Sequence, residues 1–177
     1  MSWVTGLQTY IYENHGIEAL EQAERYAHGK EGELVFLPPE STEFKFTVKR
    51  MANELHGHVY QPMTITEDDE KVVITNSPCG SGGRLIKMGA YSPEIGLAKI
   101  KEPCNLTFGT EDFPIYCVHC PLFNMLGYED TGDFIFVNDP PPVDGSCCTF
   151  TFYKDRKDIP EYYYTRLGKV KPEASAE

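Results

Sequence analysis

The chain is short of positive charge: 16 Lys and Arg stand against 27 Asp and Glu, a formal net charge of −11. It therefore lacks the basic footprint that a binder of phosphate backbones needs, which argues against nucleic acid as a partner. The same deficit argues against an anionic membrane surface. Long apolar runs are missing too, and none approaches the roughly 20 residues of a membrane span. The start, Met1-Ser2-Trp3-Val4-Thr5-Gly6, has neither the basic opening nor the apolar stretch of a signal peptide. A cytoplasmic setting is expected, in which cysteines stay reduced. No internal repeat and no low-complexity segment appears. The acidic residues are spread along the chain (18 to 24, 67 to 70, 129 to 133) and read as solvated surface.

What is present is a chain of 177 residues with six cysteines. That length fits one domain, expected over 1–168, which can bury about 70% of its unfolded surface without staples. The polar segment 169–177 is expected to be a disordered tail. Ile17, Leu20, Ala23 and Ala27 make a one-sided helical stripe that Gly29 is expected to end. Residues 33–37, closed by Pro38-Pro39, read as a short strand or an extended connector. Phe44, Val48, Met51, Ala52 and Leu55 repeat at helical spacing. Ser41 or Thr42 is the expected cap of that helix and Gly57 its C-terminal glycine.

The period then changes to two. Residues 60–66 and 71–75 around the turn 67–70 read as a β-hairpin. Residues 86–103 carry Gly89, Pro93, Gly96 and Pro103 and read as a long loop. Ile115, Val118, Leu122, Met125 and Leu126 form a third helical stripe, with Asp112 as cap and Gly127 as stop. Pro121 implies a kink there, or a new helix opened by Cys120 as cap and Pro121. Residues 133–138 and 147–153 read as strands. The expected fold is α+β: an antiparallel sheet with helices packed on one face and helices at the N-terminus.

Four cysteines, Cys79, Cys104, Cys117 and Cys120, carry the functional signal. Cys117-Val118-His119-Cys120 has the Cys-x-x-Cys spacing shared by dithiol redox, zinc and iron–sulfur sites. The redox version usually sits in a parallel βαβ unit, which the order of elements lacks. Zinc on Cys79, Cys104, Cys117 and Cys120 is the leading metal expectation, closed if four thiolates bind and open if water takes one place. A cluster on the same residues is the other. Cys79 opens Cys79-Gly80-Ser81-Gly82-Gly83-Arg84. There Gly80, Gly82 and Gly83 are expected to take positive φ and turn successive N–H groups, with that of Ser81, toward an anion. Arg84 adds a planar fork for a carboxylate, and Cys79 is the candidate thiolate. His56 and His119 are candidate acid–base groups, though helix capping and a partly exposed ring are their plainer readings. Cys147 and Cys148 are adjacent on a strand and point to opposite faces, so at most one reaches the site.

The closing strand Asp144-Gly145-Ser146-Cys147-Cys148-Thr149-Phe150-Thr151-Phe152-Tyr153-Lys154 resembles that of the L-2-amino-thiazoline-4-carboxylate hydrolase-like proteins, with residues 117–127 similar to their cysteine-bearing helix. The layout over residues 55 to 154 is also similar to the 4-vinyl reductase domain. The Pro78–Arg84 turn lies outside the hydrolase pattern. The resemblance implies a small-molecule hydrolase that opens a C–N bond of a small carboxylate-bearing compound. The attack would come from a metal-bound hydroxide or a cysteine nucleophile. The competing readings are a ligand-binding or accessory protein with a structural zinc, and an iron–sulfur protein. The expected partner is a small anionic molecule, and self-association into a homo-oligomer is left open.

Overall fold

A computed structural model describes residues 2–34, 44–59, 62–142 and 144–173. Its architecture is α+β, as the sequence implies. Helix α1 (Ser2–Leu34) is two helices joined at Gly16, whose φ of 85° breaks the helical path. The break therefore falls at Gly16 and not at Gly29, which stays helical with Glu33 and Leu34. Val35 to Thr42, including the expected cap residues, lie outside the described residues. Helix α2 (Phe44–Val59) runs through Gly57 instead of ending there.

Strands β1 (Met63–Glu67), β2 (Lys71–Asn76), β5 (Val137–Asp139) and β6 (Cys148–Tyr153) form one antiparallel sheet in the order β1-β2-β6-β5. Its β1–β2 turn is closed by Asp68 Oδ1, which accepts the N–H groups of Glu70 and Lys71 at 2.9 and 2.8 Å. Val72 and Ile74 on β2 are paired in register with Phe152 and Phe150 on β6. Phe44, Val48, Met51, Ala52 and Leu55 of α2 cover that face. Each such apolar side chain contributes about 1.5–3 kcal/mol when removed from water. The same alternation continues to Asn76, opposite Cys148, so the apolar face ends on a buried amide and a buried thiol.

The larger core gathers Leu20, Ile100, Leu106, Ile115, Leu122, Phe134, Val137 and Tyr164. The first half of α1 meets this body through Ile11 and Tyr12 and through polar side chains. Thr9 Oγ1 accepts the Ala98 N–H at 3.1 Å and Gln8 donates to Glu24 at 2.9 Å. Two short strands, β3 (Lys99–Ile100) and β4 (Phe113–Pro114), pair within what the sequence left as a loop and a helix start.

The expected third helix is a 3-10 turn, Ile115–Val118, followed by α4 (His119–Thr131), which ends at Gly132 with φ 79°. Pro121 sits in the first turn of α4, where a missing N–H costs nothing. Asp112 pairs with Lys101 at 2.7 Å and does not cap α4. Residues 134–136 are not strand, because Phe134 turns into the core to stack on Tyr164, 4.6 Å between ring centres. The short helices α3 (Gly82–Lys87) and α5 (Glu161–Thr165) escaped the periodicity reading. Lys169 and Lys171 reach Glu129 Oε1 and the Lys157 carbonyl at 2.8 and 2.6 Å, which holds the start of the C-terminal segment to the body. Among the described residues, no helix is long and apolar enough to cross a membrane.

Candidate functional site

The apolar run of β2 delivers Asn76 to the end of the sheet, and Ser77-Pro78 carries the chain from there to Cys79. Next, Arg84 N–H bonds the Cys79 carbonyl at 3.0 Å and starts α3. Gly82 and Gly83 are buried here and are required for close approach, not for positive φ. A Cβ on Gly82 would stand 2.5 Å from Cys117 Sγ, and one on Gly83 would stand 2.6 Å from the Gly145 carbonyl oxygen and 2.8 Å from Cys79 Cβ. The expected positive φ at Gly80, Gly82 and Gly83 is therefore corrected: none of the three is among the left-handed glycines.

The amides of this segment do serve an anion, and that anion is the Cys79 sulfur. The Cys148 thiol lies within hydrogen-bonding range of it, followed by the N–H groups of Gly83 and Ser81 and the Ser81 hydroxyl. Ser81 Oγ is 3.7 Å away. Together they overcome burial and push the Cys79 thiol down to about 5. Cys148 moves the opposite way, held well above the ordinary thiol range by the Cys79 thiolate and then by burial. Asn76 Nδ2 donates to Cys148 Sγ at 3.5 Å, so a chain of donors runs Asn76, Cys148, Cys79.

Cys117 and Cys120 adjoin this pair. Burial, reinforced by the charges of Cys120 and Cys79, keeps Cys117 a thiol. Burial, then the Cys79 charge, pushes Cys120 up to about 12 against the nearby Asn138 amide. Tyr116 lies beside Ser81 and is raised to about 12, by burial first and then by the thiols. Tyr91 is raised by burial and then by Cys117. Four thiols thus share one neighbourhood and a single one of them ionises easily. The polar lining is not saturated: Asn76 Oδ1, both polar atoms of the Asn138 side chain and the Tyr91 hydroxyl are buried without a well-aligned hydrogen-bond partner.

The expected residues divide accordingly. Cys79, Cys117, Cys120 and Ser81 come together, and His119 joins their edge with Nε2 3.5 Å from Cys120 Sγ. Cys104 does not join them. It heads the 3-10 turn Asn105–Thr107, with its N–H on Thr107 Oγ1 at 2.9 Å, beside Ile17 and Glu18 of α1. Arg84 is exposed on α3 and His56 is exposed on α2. The fourth thiol of the group is Cys148, so of the adjacent pair, at most one of which was expected to reach the site, it is Cys148 that does, while Cys147 is half-buried. Among the described residues no group of three or more His, Cys, Asp or Glu side chains is arranged to hold a metal ion. Asn76, Asn138, Tyr91 and Tyr116 were missed. An asparagine ending the alternation Val72, Ile74, Asn76 was the available signal for the first. Comparison with family models, curated proteins and solved structures found no match.

Proposed function

We propose that this chain is a cysteine-dependent hydrolase that opens a C–N bond in a small carboxylate-bearing compound, with Cys79 as nucleophile. The observation that supports this most is the set of donors around one sulfur: the Cys148 thiol, two backbone N–H groups and a hydroxyl, which hold Cys79 as a thiolate at the end of the sheet. In the proposed reaction Cys79 Sγ bonds to the carbon of the C–N bond. The nitrogen then leaves with a proton from the surrounding thiol and hydroxyls of Cys148, Ser81 or Tyr116. Water next attacks the same carbon, its proton returns to the donor, the C–S bond breaks to restore the thiolate, and the acid leaves as second product. Arg84, exposed on α3 five residues beyond Cys79, offers the planar fork for the substrate carboxylate. The bond type and the carboxylate rest on the resemblance of residues 117–127 and 144–154 to the hydrolase-like proteins.

The test offers purified protein a panel of small amide- and amidine-bearing carboxylates and follows ammonia release, with mass analysis for a covalent adduct. Release that stops in Cys79→Ser, with an adduct mapped to Cys79 in the parent, supports the reading. Release that survives Cys79→Ser contradicts it. Loss of release on chelation, with bound zinc or iron recovered in stoichiometric amount, would transfer the activity to the metal branch of the same expectation.

A further inference from the structure

We infer that Cys79 and Cys148 form a peroxide-reactive dithiol, in which Cys79 is the sulfur attacked by a small hydroperoxide and Cys148 is the thiol that resolves it to a disulfide. The inference goes beyond the hydrolase reading and does not depend on it. Three placements carry it. Cys79 follows Asn76 by three residues, and a Cβ on Gly83 would stand 2.8 Å from Cys79 Cβ and 2.6 Å from the Gly145 carbonyl oxygen, so the Cys79 turn lies against the segment that leads into Cys148. Asn76, fully buried and opposite Cys148 in the β2–β6 register, points its Nδ2 at Cys148 Sγ from 3.5 Å. Within the pair Cys79 has the larger opening to solvent, 9% exposed against 6% for Cys148, while Cys120 at the edge of the cluster is half-buried.

The steps balance. Cys79 S⁻ attacks the terminal oxygen of the hydroperoxide, the O–O bond breaks, and the departing alkoxide or hydroxide takes a proton from solvent. Cys79 is then a sulfenic acid, oxidised by two electrons, and the peroxide is reduced to alcohol or water. The negative charge that kept Cys148 protonated has now left its neighbour, since the Cys79 thiolate is the first cause of that suppression. Cys148 can therefore give up its proton, with the Asn76 N–H left to hold the new thiolate. Its sulfur attacks Cys79 Sγ, the S–S bond forms, the S–O bond breaks, and hydroxide leaves with the released proton as water. A small thiol reductant returns the pair to its starting state. Cys117 and Cys120 are in the same neighbourhood, but burial comes ahead of the Cys79 charge in raising both, so loss of that charge frees them less than it frees Cys148.

The experiment treats reduced, full-length protein with one equivalent of hydrogen peroxide and reads the intact mass and the peptide map. The expected result is loss of two hydrogens, a cross-link between the peptides carrying Cys79 and Cys148, and full reversal by dithiothreitol. Cys148→Ser should instead gain one oxygen at Cys79 and a dimedone adduct there, and Cys79→Ser should show neither. A cross-link between Cys117 and Cys120, or direct passage of Cys79 to sulfinic acid in the parent protein, would overturn the inference. The parent map needs no substitution, so a variant that fails to fold does not remove the test. Ammonia release from the substrate panel is read separately, so failure of one result is distinguishable from failure of the other.

Discussion

Cys79 with Cys148, and Cys117 with Cys120, are two thiol pairs set side by side, yet only the first contains a thiolate near neutral pH. Burial is common to both pairs and works against ionisation in both. What differs is the set of donors that meets the sulfur. Cys79 receives a thiol, two backbone N–H groups and a hydroxyl, whereas no donor is found to offset burial at Cys117. Desolvation therefore sets the default for a buried thiol, and directed hydrogen bonds reverse it at one position. The pair with the recognisable Cys-x-x-Cys spacing is the less reactive of the two.

The comparison breaks most completely if the packing that presents the donors is lost. In Gly83→Ala the new methyl would stand 2.6 Å from the Gly145 carbonyl and 2.8 Å from Cys79 Cβ. Backbone cannot yield there as a flexible side chain can, so the expected loss is about 3 kcal/mol by chemical denaturation, with the acidic thiol gone. A variant as stable as the parent would show that the two segments are not in contact. Cys148→Ala removes the first donor to Cys79 and should move its titration from about 5 back toward the ordinary 9.0 of a free thiol. Cys117→Ala should move it much less. Equal shifts in the two variants would erase the distinction between the pairs, as followed by pH-dependent alkylation.

Stability should report both pairs with opposite signs. Cys79 has a lowered value, so unfolding takes up a proton between about pH 5 and 9.0, and stability rises with pH through that window. Its slope is at most about 1.4 kcal/mol per pH unit, the value for one proton. Cys120 has a raised value, so its contribution is present below 9.0 and is lost as pH rises toward about 12. Thermal unfolding across pH checks this, and Cys79→Ala should flatten the acid side most, with a smaller change at the alkaline end because the Cys79 charge helps to raise Cys120. The smallest effect is expected from Asn76→Ala, which acts on Cys79 only through Cys148. It should raise the Cys79 titration by less than about one unit, in keeping with the modest strengthening that one hydrogen bond passes to the next.

The sequence made the hairpin, the α2 stripe and the antiparallel α+β plan legible, because each rests on a sustained period of 2 or 3.6. Several elements were not, among them the two-residue strands β3 and β4. Helices α3 and α5 are too short to display a period, and Phe134 left its strand pattern for the core. In the site, Cys79, Cys117 and Cys120 were legible by residue type and spacing. Cys148 was not, since its partnership with Cys79 arises from the β2–β6 register and the return of the chain through Ser77-Pro78. The glycines of 80–83 were read for their freedom at positive φ. Their value at 82 and 83 lies in the missing Cβ, which distance alone reveals.

The central claim is that Cys79 is the acidic thiol of this protein and its neighbours are not. Site-resolved alkylation with iodoacetamide, quantified by mass spectrometry between pH 4 and about 10, the range that brackets ordinary and lowered thiol values, tests it directly. The account predicts a Cys79 profile that rises with a midpoint near about 5, while Cys117 and Cys120 stay unmodified until the alkaline end. A Cys79 midpoint at the ordinary 9.0, or modification of Cys117 or Cys120 ahead of it, would contradict the claim.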